Sequence, residues 1–329
     1  MHLATRALLE AEPETMRAMA FARPGAGERP MPCALPIPTP GPTQLLVRVH
    51  AAGVGRWDLL ERDGAFARLP RFPHVGGSEG AGVVVEAGRE TRGFREGDRV
   101  YGLVAQRDPK GGCHAQFALF DAGLAWPVPP RLALDQAAVL PVDGALAAQG
   151  VHAILQARDD DALMVFGASG GVGHFALQLA RNAGVRTLAI ASGRDGMRLA
   201  ERLGADVAVD GRRPGFEREV AHFADGAKRT LALLTAGGGA AARLVAALPT
   251  GSRIAWPHGV AMPAIARDDV VAAGFGVRYE PDAMGAFHAL AERGPLVPHV
   301  SRRFALERLP QALEAIAAHH LGRIAVLAA

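Results

Sequence analysis

The sequence predicts an α/β protein of two domains, a small β-barrel-type domain followed by a doubly wound parallel sheet. Three observations predict it. A glycine-rich turn, Gly167-Ala168-Ser169-Gly170-Gly171-Val172-Gly173, separates an apolar run of strand length from a segment in which Phe175, Leu177, Leu179 and Ala180 fall at helical spacing. Beyond it, apolar runs and helical patterns alternate, as parallel strands with crossover helices require. The first 140 or so residues carry short strands punctuated by Gly and Pro instead, the pattern of a small barrel.

In chain order, Met16 to Phe21 reads as an opening strand. Pro30 to Pro42 is proline-rich, which keeps it out of helices and central strands and suits an extended surface connection. Leu45 to Val54 follows as a strand, and Trp57 to Arg62 as a short helix stopped at Gly64. Gly80 to Gly88, Arg99 to Gly102 and Ala115 to Phe120 supply three more strands. Asp135 to Pro141 starts a helical passage, and the domain boundary is expected there.

The wound sheet then begins with Leu163 to Phe166 and its helix from His174 to Ala183. Thr187 to Ala191 is a second strand, Met197 to Leu203 a second helix ending at Gly204, and Val207 to Val209 a third strand. That order is the β-α-β-α-β of a mononucleotide-binding half. Leu231 to Thr235, a helix to Leu248, and strands at Ser252 to Trp256 and Val270 to Val277 continue it, with Asp282 to Arg293 as a further helix. Val297 to Phe304 is extended, Leu309 to Ala318 helical, and Arg323 to Leu327 a last strand.

Length and composition bound the function classes. A chain of 329 residues has room for two cores, and 49% hydrophobic residues without an apolar run of spanning length argue for a soluble protein, not a membrane one. Residues 1–15 carry Glu10, Glu12 and Glu14 where a secretion signal needs an apolar stretch, so they are expected to be a flexible extension. The net charge is +3, but the basic residues are scattered and no nucleic-acid face is indicated. Cys33 and Cys113 have no paired spacing, which excludes a disulfide framework and fits a reducing cytoplasm.

The glycines have a mechanical reason. A side chain at Gly170 or Gly171 would keep the backbone from a pyrophosphate, and one at Gly173 would hold the helix off the strand. The N–H groups of the helix's first turn, aided by the helix dipole, then face the phosphates. A phosphate-bearing cofactor on Ser169, Gly170, Gly171, Val172 and Gly173 is expected. A tight turn in any α/β protein is the alternative, and the strand–helix order around it argues against that.

Taken together, Ala51 to Val54 with Asp58, Gly77 to Val84, Glu96 to Gly102, Gly112 to Phe117, Ala137 to Pro141, Gly167 to Gly173, Leu203 to Asp206, Gly237-Gly238 and Gly322-Arg323-Ile324 resemble the medium-chain dehydrogenase/reductases. Within that superfamily the chain is similar to the zinc-free quinone oxidoreductase branch that includes zeta-crystallin. The resemblance implies a GroES-like catalytic domain (16–140 and 295–329), an inserted Rossmann domain (141–294), and a nicotinamide cofactor in the cleft between them. It also implies a homodimer, to which the apolar run Val270 to Val277 lends support as a strand free to pair across a twofold.

Zinc-dependent relatives place a cysteine where Gly55 stands and a histidine where Ser78 stands. A catalytic zinc needs about three protein ligands, and these two positions offer none, so no metal is expected. Asp58 and Glu79 read first as buried carboxylates bonding backbone N–H groups beside the cleft, and only second as chemistry. Quinone oxidoreductases usually carry an asparagine in the place of Gly55 and often a tyrosine in that of Leu60. Without that phenol, a proton for an enone must come from Arg56, Ser78, His74, His258 or water. The cleft candidates are Gly55, Arg56, Ser78 and His258, while His114 reads as structural.

Cofactor choice is written at the end of the second strand. An Asp or Glu about 20 residues beyond the glycines bonds the ribose of NAD. Here Ala191 stands there, followed by Ser192, Arg194 and Arg198, which could receive the 2′-phosphate of NADPH. Gly196 occupies the place of the family's usual lysine, with Asp195 beside it, and a merely solvated helix face is the alternative for the two arginines. The expectation is an NADPH-dependent reductase of quinones or α,β-unsaturated carbonyls. An enoyl-thioester reductase is the second enzyme reading, and a nucleotide-binding sensor or structural protein with little turnover is the rival.

Overall fold

The computed structural model describes residues 15–64, 72–104, 111–276, 279–294 and 296–328. Its elements run β1 (Thr15–Phe21), β2 (Met31–Pro36), β3 (Gln44–Val54), α1 (Arg56–Arg62), β4 (His74–Val75), β5 (Glu79–Ala87), β6 (Arg99–Val104) and β7 (Phe117–Pro127). There follow α2 (Leu134–Ala137) and α3 (Pro141–Ala148), the latter running into a π-helical turn, Gln149–Ile154. The glycine-rich half comprises β8 (Ala162–Phe166), α4 (Gly171–Asn182), β9 (Arg186–Ala191), α5 (Gly193–Arg202), β10 (Val207–Asp210) and α6 (Phe216–Ala224). The rest is β11 (Thr230–Leu234), α7 (Gly239–Ala247), β12 (Arg253–Pro257), β13 (Val271–Phe275), α8 (Pro281–Arg293), β14 (Val300–Ala305), a 3₁₀ turn, α9 (Leu309–Ala317) and β15 (Arg323–Leu327).

All pairings in the second sheet are parallel, in the order β10-β9-β8-β11-β12-β13. Counted from β8 this is 3-2-1-4-5-6, the doubly wound Rossmann order, whose chain reverses direction between β8 and β11. Every residue of β8 and β11 is buried, as helices on both faces require. The crevice where the strand order reverses therefore opens at Gly167 and Thr235, and the Thr235 hydroxyl donates to the Phe166 carbonyl at 2.8 Å.

In the other large sheet, β3 pairs with both β5 and β7, and β5-β6-β7 complete a closed ring. Closure removes the edges that a small antiparallel sheet would otherwise expose. The C-terminal strand β15 adds to β3 antiparallel, with Ile324 opposite Val54, and β14 lies parallel outside it. The chain end thus brings Arg323 to the wall that Gly55 borders.

Three differences from the sequence reading have physical reasons. The proline-rich connection contains β2, with Pro32 opposite Met19, an edge position where a missing N–H is tolerated. Strand β7 runs past Phe120 to Pro127 because it pairs first with β3 and then with β6. Helix α6 was not anticipated, although Phe216, Val220, Phe223 and Ala224 form a buried helical stripe. Residues 1–14 and Val277 lie outside the described residues, and Thr15 already belongs to β1.

Helix α4 is pinned to the returning C-terminal segment. Gln178 accepts the Val297 N–H at 2.7 Å and donates to the Val297 carbonyl at 3.2 Å. The fully buried His174 donates from Nδ1 to the Gly171 carbonyl at 2.6 Å, and its Nε2 accepts the His299 N–H at 3.3 Å. Burial pushes this imidazole down to about 3, since a charged ring there is neither hydrated nor paired with an acid. The unfolded chain binds a proton near pH 6.5, so stability from neutral His174 is complete above that pH and is lost as pH falls toward 3. Glu79, whose folded value is raised, works with the opposite sign between 4.5 and about 7. Comparing His174→Gln with the parent therefore isolates the imidazole. The parent should lose roughly 1 kcal/mol more per pH unit between pH 6 and 4, read by chemical denaturation. Parallel pH profiles would refute it.

Candidate functional site

A cavity of about 460 Å³ lies where α1, the turn before α4, the end of β12 and the start of β15 meet. Its lining includes Gly55, Arg56, Leu60, Asp143, Gly170, Gly171, Val172, Thr235, His258 and Arg323. Of the sequence candidates, Gly55, Arg56 and His258 come together here, with His258 exposed at the rim. Ser78 and His74 do not line it. His74 is buried beside Glu61 at 3.5 Å, and the Ser78 carbonyl accepts the Val104 N–H on the β5–β6 side.

The three turn glycines differ in what constrains them. A Cβ on Gly173 would overlap the Gly167 carbonyl, so this residue sets the close approach of α4 to the turn. One on Gly171 would overlap Asp143 Oδ2. At Gly170, the N-cap of α4, it would meet only the Gly167 carbonyl, at 3.3 Å, and the backbone is extended (φ −86°, ψ −173°). Apart from that carbonyl, packing within the protein leaves the space beside Gly170 open. A pyrophosphate at the N-terminus of α4 fits this opening, Val172 bordering the cavity and Ser169 buried behind it.

The end of β9 carries the residues that the sequence reading assigns to the cofactor's 2′-phosphate. Ser192 is the N-cap of α5 with its hydroxyl uncommitted to the helix, and Gly193 has φ +79°. Gly193 donates its N–H to Asp210 Oδ1 at 3.0 Å, and Asp210 stands opposite Ala191 in the β9–β10 register. Arg194 and Arg198 are exposed. Arg212, not singled out from the sequence, reaches this turn: its Nη1 is 3.3 Å from where a Gly193 Cβ would stand. His319, from the segment before β15, bridges Arg212 at 3.1 Å and Asp195 at 3.1 Å. That hydrogen bond from His319 is the first cause holding the Asp195 carboxyl below its usual range. Gly196 has a packing reason, since a Cβ there would come 2.8 Å from Ser169 Oγ.

Asp58 and Glu79 are both buried and both bond backbone. Asp58 accepts the N–H groups of Gly55 at 2.8 Å and Gly77 at 3.2 Å, fixing the start of α1. Glu79 accepts the Val142 N–H at 2.7 Å. The sequence reading missed its second partner: Arg323 is buried between Glu79 and Asp143 and pairs with both. A charged residue inside the apolar passage Ala137 to Ala148 was the available signal for Asp143. Burial, and then Asp143, raise Glu79 to about 7 against the opposing pull of Arg323. Gly55 leaves space for the guanidinium, since a Cβ there would lie 3.0 Å from Arg323 Nη1. Among the described residues no group of three or more His, Cys, Asp or Glu side chains is placed to hold a metal ion.

The chain matches the alcohol dehydrogenase GroES-like domain family over residues 41–130 and the zinc-binding dehydrogenase family over residues 203–326. It is 34% identical to the quinone oxidoreductase of Mus musculus over 171 residues, 51% of this chain and 50% of that protein. It is 32% identical to the 2-methylene-furan-3-one reductase of Solanum lycopersicum over 180 residues, 53% of this chain and 46% of that one. The chain spans about half the length of the curated relatives it matches. A solved NAD-dependent alcohol dehydrogenase superimposes with a TM-score of 0.84 at 26% identity, covering 95% of this chain and 99% of that one.

Proposed function

We propose, for a chain that belongs to the medium-chain dehydrogenase/reductase superfamily and to its quinone oxidoreductase branch, an NADPH-dependent, zinc-independent reductase of quinones or α,β-unsaturated carbonyls. One observation carries the reading. The glycine-rich turn at the reversal of the parallel sheet opens, at an unfilled Gly170, onto a cavity whose other wall is built by α1 and β15 of the barrel domain. A bound reduced nicotinamide would supply the hydride.

The chain's own residues do the rest. The first turn of α4 receives the pyrophosphate, Trp57, Leu60 and Val260 offer apolar walls to a flat electrophile, and His258 at the rim is placed to give a proton. Zinc independence is supported by the donor chemistry: Gly55 offers no ligand atom, and Arg323 puts a fixed cation beside it. The quinone and enone classes are supported by the two curated relatives named for such reductions. The test is NADPH oxidation against quinones, enones and enoyl thioesters, with and without chelator. Turnover of a quinone or enone that survives chelation supports the proposal. Turnover of thioesters alone, or tight binding with silence across the panel, replaces it.

Cofactor preference is a second expectation, and since a solved relative is named NAD-dependent it rests on residues of this chain. Ala191 lacks the acid that would repel a phosphate, and Arg212 with Ser192 offers donors. One charge-assisted contact contributes roughly 1.5 to 3 kcal/mol, about ten- to a hundredfold in affinity. NADPH should bind at least tenfold more tightly than NADH, and Ala191→Asp should reverse the order. Equal titration curves for the two would discard it.

A further inference from the structure

The buried Arg323–Asp143–Glu79 cluster stands directly on the nucleotide turn, and nothing so far uses it. Asp143, in the first turn of α3, has its Oδ2 against Gly171, and the Arg323 Cδ lies 3.3 Å from where a Gly171 Cβ would be. Glu79 reaches the same guanidinium from β5. All three side chains are at least nine-tenths buried, and Arg323 Nε has no hydrogen-bond partner. Two carboxylates thus share one guanidinium, and the ionised cluster carries one negative charge in excess. A pyrophosphate brought to the N-terminus of α4 adds two more within a few ångströms, in a medium that screens them poorly.

We propose that this cluster couples dinucleotide binding to proton uptake, Glu79 taking a proton from solvent as the pyrophosphate arrives so that Arg323 and Asp143 remain an ion pair beside it. The inference rests on the nucleotide reading of the glycine-rich turn. Glu79 is the member that accepts the proton because of what surrounds it. It faces Arg323 from β15, Asp143 and the Val142 N–H from α3, Asp58 from α1, and the half-buried Tyr279 ahead of α8. Its carboxyl is already raised to about 7, mainly by burial and then by Asp143, so a further negative charge keeps it protonated through pH 8. Asp143 pairs with the same guanidinium from α3.

The experiment is calorimetric titration of the full chain with NADPH at pH 7.5 and 8.5 in buffers of different ionisation enthalpy. At these pH values the 2′-phosphate, with a pKa near 6, is already ionised and contributes no proton. Between about half and three quarters of a proton should be taken up per nucleotide at pH 7.5, since Glu79 is already about one quarter protonated there, and affinity should fall by up to about tenfold per pH unit above Glu79's titration. Glu79→Gln keeps the bonding geometry without the titration, and should abolish the uptake and flatten the pH dependence. Asp143→Asn removes the excess charge and should raise affinity severalfold at pH 8.5. Binding with the same heat in every buffer overturns the proposal alone. Unchanged uptake in Glu79→Gln also overturns it, and assigns the proton to His258 or His320 in the cavity. If no dinucleotide binds at all, the nucleotide reading falls first and takes this one with it.

Discussion

Gly170→Val should reduce NADPH affinity at least a hundredfold while the chain stays folded. The residue has extended backbone angles that a β-branched side chain adopts readily, and its nearest obstacle is one carbonyl at 3.3 Å. The folded state therefore loses little, about 1 kcal/mol for an apolar residue in place of Gly at the N-cap. The ligand loses more. A side chain on the N-cap stands between the α4 N–H groups and the pyrophosphate, and displacing two charge-assisted hydrogen bonds costs roughly 3 to 6 kcal/mol. Circular dichroism with calorimetric titration measures both quantities. A folded variant that binds NADPH like the parent would show that the pyrophosphate lies elsewhere. Gly173→Val makes the contrasting case: its Cβ overlaps the Gly167 backbone, so it should unfold rather than spare the protein.

Arg323→Met should lower stability by about 3 to 5 kcal/mol, the typical cost of leaving buried charge without its partner. The side chain sits 3% exposed between Glu79 and Asp143, themselves 2% and 6% exposed, and water cannot replace the guanidinium there. Adding Glu79→Gln and Asp143→Asn should return most of the loss, because the cost arises from the stranded carboxylates and not from the missing cation. Denaturant midpoints of the single and triple variants decide it. A single variant within about 1 kcal/mol of the parent would mean that the acids are neutral in the fold, contrary to the ion-pair description.

Much of the fold was legible because it depends on local pattern. The run Leu163 to Phe166, the glycines after it and the helical spacing from Phe175 specify a strand, a turn and a helix without help from distant residues. Ala191 was legible for the same reason, since it follows the turn at a fixed offset. Less legible were features that exist only where distant segments meet. Arg323 appeared in the sequence as part of a motif, yet its partners Asp143 and Glu79 are 180 and 244 residues away along the chain. Arg212 and His319 are 107 residues apart and meet over the first turn of α5. Ser78 and His74 were drawn toward the cleft by their place beside motif residues, but neither lines the cavity.

The sequence by itself determined most of the strands and helices of the wound sheet, the glycine-rich turn and the absence of an acid at Ala191, because each follows from periodicity, backbone sterics or side-chain chemistry within a short window. Only the tertiary structure decided that β3 closes the barrel through β7, that β15 carries Arg323 back to Gly55, and that two acids converge on it. Those contacts form when burial brings remote segments together, and a buried charge must then take whichever partners the packing puts within reach.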